Sequence, residues 1–162
     1  MKKTLSTLPE IKLVGIKVRT CNKNESNIET AKISLLFRKY FNEQVFQTIA
    51  NRTNPMITFC AYTDYESDYT GQYTCFIGEE VDSLNKIPDG LEILIISPQK
   101  YIKFTTNSGI IPNIVIDSWQ EIWQMSSSEL GGNRNYHTDF EIYDKRASDP
   151  LNSIVDIHVG VN

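Results

Sequence analysis

"MITFCAYTDYESDYTGQYTCFIGEE", residues 56–80, contains two runs of strand-forming residues on either side of a polar segment. Residues 56–65 and 72–80 are rich in aromatic and β-branched side chains, which favour extended backbone. The segment between them, ESDYTG, consists mostly of residues that favour turns. The stretch therefore predicts an antiparallel hairpin, and it makes a β-sheet the centre of the fold.

The same type of pattern recurs on both sides of this hairpin. Further strands are predicted at residues 12–20, 90–97, 100–106, 134–144 and 153–161. Pro98 and Gln99 separate two of these runs, and residues 147–152 separate the last two. Short polar or proline-containing connections of this kind are typical of hairpins, so we expect two more.

Two other segments have the apolar spacing of helices. One contains Ile33, Leu36, Phe37, Tyr40 and Phe41, and the other contains Val115, Trp119, Ile122 and Trp123. They predict long helices near residues 29–46 and 112–126.

The element order is therefore strand-helix-strand-strand, given twice, with the strand at 90–97 between the two copies. Two helices cannot cover both faces of such a sheet. The expected fold is α+β, with a mostly antiparallel sheet, two long helices on one side and a central ligand cleft where the halves meet.

Composition limits the classes of function. The chain has 162 residues and is expected to form one domain over residues 1–162. Its formal net charge of −4 disfavours nucleic-acid binding. No apolar run reaches the length of about 20 residues that a membrane span requires. The three cysteines form no CxxC pair, and we expect reduced thiols in a cytoplasmic protein with no metal site and no cofactor.

Four segments carry a resemblance to a known family, and they occur in the family's order and spacing. They are YTDYESDYTGQYTCFIGEEV (62–81), DGLEILIISPQKYIKFTTNSG (89–109), DSWQEIWQ (117–124) and DFEIYD (139–144). Over residues 10–161 the chain resembles the GyrI-like small-molecule-binding domain, which is the effector-binding domain of multidrug-sensing transcription regulators such as BmrR and Rob. The resemblance implies a duplicated fold and an aromatic pocket in which one central glutamate receives lipophilic cations. By its position in the motif, that glutamate is Glu141.

The residue pattern around Glu141 is compatible with this role. In a strand, Asp139, Glu141 and Tyr143 point to one face, whereas Phe140 and Ile142 point to the other. If the latter two face the core, the carboxylate lies either in water or on the floor of a pocket. The resemblance favours the pocket. Its expected wall is drawn from the aromatic residues Tyr62, Tyr73, Trp119, Trp123, Tyr136 and Tyr143, whose alternative role is in the core.

Three functional interpretations remain. In the first, a stand-alone domain senses or sequesters amphipathic cations. In the second, a hydrolase uses Glu141 on reactive electrophiles, but the sequence offers no second catalytic group, so binding is favoured. In the third, by analogy alone, the chain inhibits a protein partner such as DNA gyrase.

Direct DNA binding is not expected. Only about ten residues precede the first predicted strand, so no helix-turn-helix is predicted, and the charge is acidic. In a gel-shift titration near physiological salt, this chain should not retain duplex DNA at micromolar concentration. Sequence-dependent retention below about 1 μM, within the range of specific binding, would contradict this expectation.

Overall fold

The computed structural model describes residues 1–162 and contains one eight-stranded sheet. In chain order the strands are β1 (Lys2–Leu8), β2 (Ile11–Cys21), β3 (Thr58–Thr63), β4 (Gln72–Glu80), β5 (Glu92–Ile96), β6 (Gln99–Thr105), β7 (Thr138–Tyr143) and β8 (Asp156–Val161). They lie in the order β1-β6-β8-β7-β3-β4-β2-β5, and every neighbouring pair is antiparallel. The α+β class and the antiparallel sheet are thus confirmed.

Two long helices accompany the sheet, as predicted. The helices are α1 (Asn22–Glu25), α2 (Ile33–Asn42), α3 (Val45–Thr48), α4 (Asn113–Gln124) and α5 (Ser127–Leu130), with a 3₁₀ turn at Lys145–Ala147. The first long helix is shorter than the predicted 29–46, because the Glu25 carboxylate accepts the N–H groups of Lys32 and Ile33 where α2 begins. Gln44 then adopts a left-handed backbone with φ of 51° and separates α2 from α3. None of the helices combines the length and apolar character that a membrane crossing requires.

The duplication is visible in the strand pairing. One half is β2-α2-β3-β4, and the other is β6-α4-β7-β8. In each half the first strand pairs with the last, and β3 pairs with β7 where the halves meet. Each half also gains an outer strand, β5 on β2 and β1 on β6. Strand β1 was not predicted, because KKTLSTL is mostly exposed and polar.

The predicted hairpin between residues 90–97 and 100–106 is wrong. Strands β5 and β6 do not pair with each other and stand towards opposite ends of the strand order. Yet only Ser97 and Pro98 connect them, and that length of chain spans at most about 11 Å. The sheet must therefore curve until its two ends approach each other. Pro98 has no N–H for a ladder, and it marks the place where the chain passes from one end to the other.

Alternation along β3 and β7 divides the core between the two faces of the sheet. Phe140 is 1% exposed and packs with Phe59, Phe76 and Tyr101 on the face away from the long helices. Its predicted place in the core is confirmed. Glu141 points the other way, to the face on which α2 and α4 pack.

Where β2 pairs with β4, two opposed glycines lie so close together that neither position has room for a side chain. Gly15 pairs with Gly78, and a Cβ on Gly15 would lie 1.9 Å from the carbonyl oxygen of Ile77. Gly15→Ala should therefore lower the free energy of unfolding by about 1–3 kcal/mol, as overpacking does. Urea unfolding measures this change. The exposed Lys17→Ala on the same strand is the control, and equal effects for the two variants would contradict the packing account.

Candidate functional site

Glu141 lies at the centre of the sheet, on the strand pair that joins the two halves. It is paired with Cys60 of β3, and its side chain is buried, with 1% of the residue exposed. Helix α4 reaches it through Trp119, and α2 comes close through Phe37, whose ring lies 5.6 Å from that of Tyr143. The carboxylate is therefore enclosed by elements from both halves.

Three neutral groups donate hydrogen bonds to the Glu141 carboxylate. The Tyr62 hydroxyl and the Trp119 indole N–H donate to Oε1 over 2.7 Å and 2.6 Å, and the Tyr143 hydroxyl donates to Oε2 over 2.6 Å. Tyr62 and Tyr143 each lie two residues beyond the Cys60–Glu141 pair, so strand alternation places both on its face. The predicted grouping of these three aromatic residues with Glu141 agrees with this geometry.

Burial and hydrogen bonding act on the Glu141 carboxyl in opposite directions. Burial raises its pKa, whereas the bonds from Tyr143, Trp119 and Tyr62 lower it, and the net pKa is raised. Burial, followed by the charge of Glu141, raises the pKa of the Tyr143 hydroxyl well above its ordinary value, so this group stays a donor. The site is thus a carboxyl group that binds its proton more tightly than an exposed glutamate does.

The other predicted wall residues do not hydrogen-bond Glu141 and lie beyond the aromatic residues that do. The Tyr73 ring lies 5.5 Å from that of Tyr62. Trp123 lies 6.5 Å from Trp119. Tyr136 is in a loop before β7, not in the strand predicted at 134–144, since its backbone takes a left-handed φ of 53°.

A buried ion pair that was not predicted from the sequence lies beside this cluster. Arg134 Nη2 lies 2.5 Å from Asp139 Oδ2, and the Arg134 side chain is only 9% exposed. Asp139 also accepts from the Tyr65 hydroxyl over 2.7 Å and from the backbone N–H of Gly160 over 2.8 Å. One signal was available: alternation places Asp139 on the same face as Glu141, and a second buried carboxylate requires a cation.

Two grooves lie near these residues. One, of about 270 Å³, is lined by Ile122, Trp123, Met125, Leu130, Arg134 and Tyr136, among others. The larger, of about 480 Å³, is on the opposite face of the sheet, where Phe140 and His158 contribute to its lining. Burial lowers the pKa of His158 to about 4, so the larger groove contains a neutral imidazole at pH 7. It does not include any predicted site residue.

A duplicated strand-helix-strand-strand sheet with one long helix in each half is the fold of a class of protein, the effector-binding domains. The chain belongs to the Cass2 family, described as integron-associated effector binding protein, whose model matches residues 4–161. The resemblance to GyrI-like effector-binding domains is thereby confirmed. The C-terminal domain of EcmrR superposes with a TM-score of 0.62 at 16% identity, over 99% of this chain and 97% of that one, and this likeness shows the fold.

Individual relatives support this assignment. The putative transcriptional regulator YobU of Bacillus subtilis is 28% identical over 152 residues, which is 93% of this chain and 91% of YobU. An integron cassette protein from Vibrio cholerae superposes with a TM-score of 0.75 at 28% identity, over 99% of this chain and 95% of that one. SAV2435, solved bound to tetraphenylphosphonium, superposes with a TM-score of 0.77 at 21% identity, over 100% and 94% of the two chains. This last likeness shows the fold.

The indole N–H of Trp119 should stabilise the protein mainly when Glu141 is ionised. Trp119→Phe removes one of three donors to a buried carboxylate, and we expect a loss of about 1–3 kcal/mol in unfolding free energy at pH 7. Because the raised pKa lets Glu141 take up its proton as pH falls, the loss should shrink towards pH 4. Urea unfolding at both pH values measures it. Trp123→Phe is the size-matched control, and the same pH-dependent loss there would contradict the assignment.

Proposed function

We propose that the chain binds amphipathic, cationic small molecules between α2 and α4, with Glu141 as the counter-charge, and so senses or sequesters them. The observation that carries the proposal is a buried carboxylate whose three hydrogen-bond donors are all neutral. Glu141 takes part in none of the ion pairs of the structure. By contrast, Asp139 and Glu79 are both buried beside an arginine.

The energetics favour a cation over a neutral ligand. Enclosing an unpaired carboxylate costs several kcal/mol or keeps the group protonated. A bound cation offsets that cost, since it supplies the missing opposite charge in a region of low dielectric. Aromatic faces add about 0.5–2 kcal/mol each. The rings of Tyr62 and Trp119, now 5.6 Å apart and at 86° to each other, would separate to admit the ligand.

The related proteins support this choice of ligand class. Tetraphenylphosphonium, the compound bound to SAV2435, is a lipophilic cation with aromatic groups. The family's description as effector binding and YobU's description as a putative transcriptional regulator indicate a role in sensing. We assign ligand recognition in the cytoplasm to this domain. Its net charge of −4 disfavours direct contact with DNA.

The hydrolase alternative is less well supported. General acid–base catalysis with Glu141 would need a second group to activate water or stabilise charge. The other buried carboxylate of β7, Asp139, is already occupied by Arg134, Tyr65 and the N–H of Gly160. A raised pKa alone suits a general acid but also suits a site that awaits a cation, so binding is the simpler function.

Removal of the charge on Glu141 tests the proposal. Glu141→Gln keeps the shape of the side chain, and its affinity for tetraphenylphosphonium should fall about ten- to a hundredfold, because a contact with a charged group contributes about 1.5–3 kcal/mol. Titration calorimetry or tryptophan fluorescence at pH 8 measures it. The affinity of Glu141→Gln for the neutral triphenylphosphine oxide should fall much less, relative to the parent protein.

Glu79→Gln is the matched control, since Glu79 is also 1% exposed but forms an ion pair with Arg52. Its affinity for tetraphenylphosphonium should match that of the parent protein. If Glu141→Gln binds the cation as tightly as the parent, Glu141 is not the counter-charge. If binding survives and turnover of an electrophile disappears, the hydrolase alternative replaces the proposal.

A further inference from the structure

A cation already lies among the aromatic rings of this face. The guanidinium carbon of Arg134 is 4.2 Å from the centre of the Tyr136 ring and 5.9 Å from that of Trp119. Its Nη2 pairs with Asp139. Trp119 thus contacts two charged groups, since its indole N–H binds Glu141 while its ring lies near Arg134.

The fit of Arg134 in this position is incomplete. Its Nε and Nη1 atoms are buried and have no hydrogen-bond partner. A buried donor without a partner costs about 1–3 kcal/mol, and such atoms regain water if the side chain moves out. The surroundings therefore suit a flat cation with one edge towards Asp139, but they do not satisfy the remaining N–H groups of an arginine.

The loop that carries these residues is held in a costly conformation. Tyr136 has a φ of 53°, which is unfavourable for a residue with a side chain. Asn135 fixes the loop, because it accepts the N–H of His137 over 3.0 Å and donates to Gln99 over 2.9 Å. Gly160 allows this approach, since a Cβ there would lie 2.6 Å from Asn135 Oδ1. The ring of Tyr136 is thus positioned against the cation by the surrounding structure.

We propose that Trp119, Tyr136 and Asp139 form a second cation subsite, that Arg134 is its internal occupant, and that ligands with a flat amidinium or guanidinium group displace it. The ligand's charged group pairs with Asp139 and stacks on Tyr136, while Arg134 turns out to water. The rest of the ligand is apolar and lies in the adjoining groove of about 270 Å³, beside Trp123 and Leu130. This subsite rests on the proposed function, and it adds flat, delocalised cations to the ligands that the domain accepts.

Benzamidine, a flat cation, and benzamide, its neutral analogue, test the subsite. If Arg134 fills the subsite in more than about nine of ten molecules, its removal should tighten benzamidine binding at least about tenfold. Arg134→Ala should therefore bind benzamidine at least that much more tightly than the parent. Benzamide cannot form an ion pair with Asp139, and it should remain a much weaker ligand than benzamidine in both proteins. Tryptophan fluorescence reports binding, because both tryptophans of the chain border the site. Benzamidine should also raise the Tm of the variant, since it replaces the lost counter-charge of Asp139.

Two further variants separate this role from a structural one. Arg134→Ala combined with Asp139→Asn has no carboxylate in this subsite, and it should lose the preference for benzamidine over benzamide. Arg146→Ala removes an arginine that pairs with Asp144 and Asp156 elsewhere, and it should leave benzamidine affinity unchanged. If Arg134→Ala binds benzamide as tightly as benzamidine, or if it gains no affinity for benzamidine, the proposal is overturned.

The native protein provides a test that does not depend on a variant folding. Hydrogen exchange of the Arg134 Nε–H, followed by ¹⁵N NMR, should be slow without ligand and fast when benzamidine is saturating. Unchanged slow exchange at saturation would overturn the displacement. The two proposals can fail separately. If Glu141→Gln binds tetraphenylphosphonium as tightly as the parent while Arg134→Ala gains tenfold in benzamidine affinity, Glu141 is not the counter-charge but the Asp139 subsite stands.

Discussion

The Glu141 carboxylate, enclosed at the contact between β3 and β7, is the interaction around which the site is organised. It draws donors from both halves of the molecule, with Tyr62 on β3, Trp119 on α4 and Tyr143 on β7. A charge in this position is unfavourable without partners, and neutral donors compensate for it only in part. Under the proposed function, an incoming cation offsets that residual cost. The same carboxylate also explains why two tyrosines and a tryptophan turn their polar atoms inwards.

Duplication of the fold creates the place for this carboxylate. Each half covers its own strands with one long helix, so the strand pair between the halves lies under neither helix alone. The aromatic residues that close this gap pack edge to face, as Tyr62 does on Trp119 and on Tyr73. Each such ring pair contributes about 0.5–1.5 kcal/mol beyond the burial of its area. Under the proposed function, the rings of an aromatic ligand replace these contacts. Asp139, on the same strand, pairs with Arg134, whereas Glu141 pairs with no cation. Under the two proposals, Asp139 marks a filled cation position and Glu141 marks an open one.

Local patterns in the sequence predict the strands, both long helices and the direction in which Glu141 points, because each depends on periodicity within a few residues. The resemblance to GyrI-like domains leads to Glu141 by its position in the motif. The six aromatic residues expected around it include Tyr62, Trp119 and Tyr143, but the pattern does not show that these three contact it. Strand β1 and the true partners of β5 and β6 are not predictable in this way, since they depend on how the curved sheet brings its ends together. The ion pair of Arg134 with Asp139 is not predictable from local patterns either. It depends on a loop whose conformation is fixed by Asn135 and Gly160.

The ionisation of Glu141 is the most direct test of this account. The ¹³C shift of its side-chain carboxyl, assigned by loss of the signal in Glu141→Gln, can be followed through a pH titration with and without tetraphenylphosphonium. We predict that the pKa of Glu141 lies clearly above the ordinary 4.5 in the free protein, because burial outweighs the three hydrogen bonds. When the cation binds, that pKa should fall. A carboxyl group that titrates near 4.5 and does not respond to the saturating cation would contradict this account.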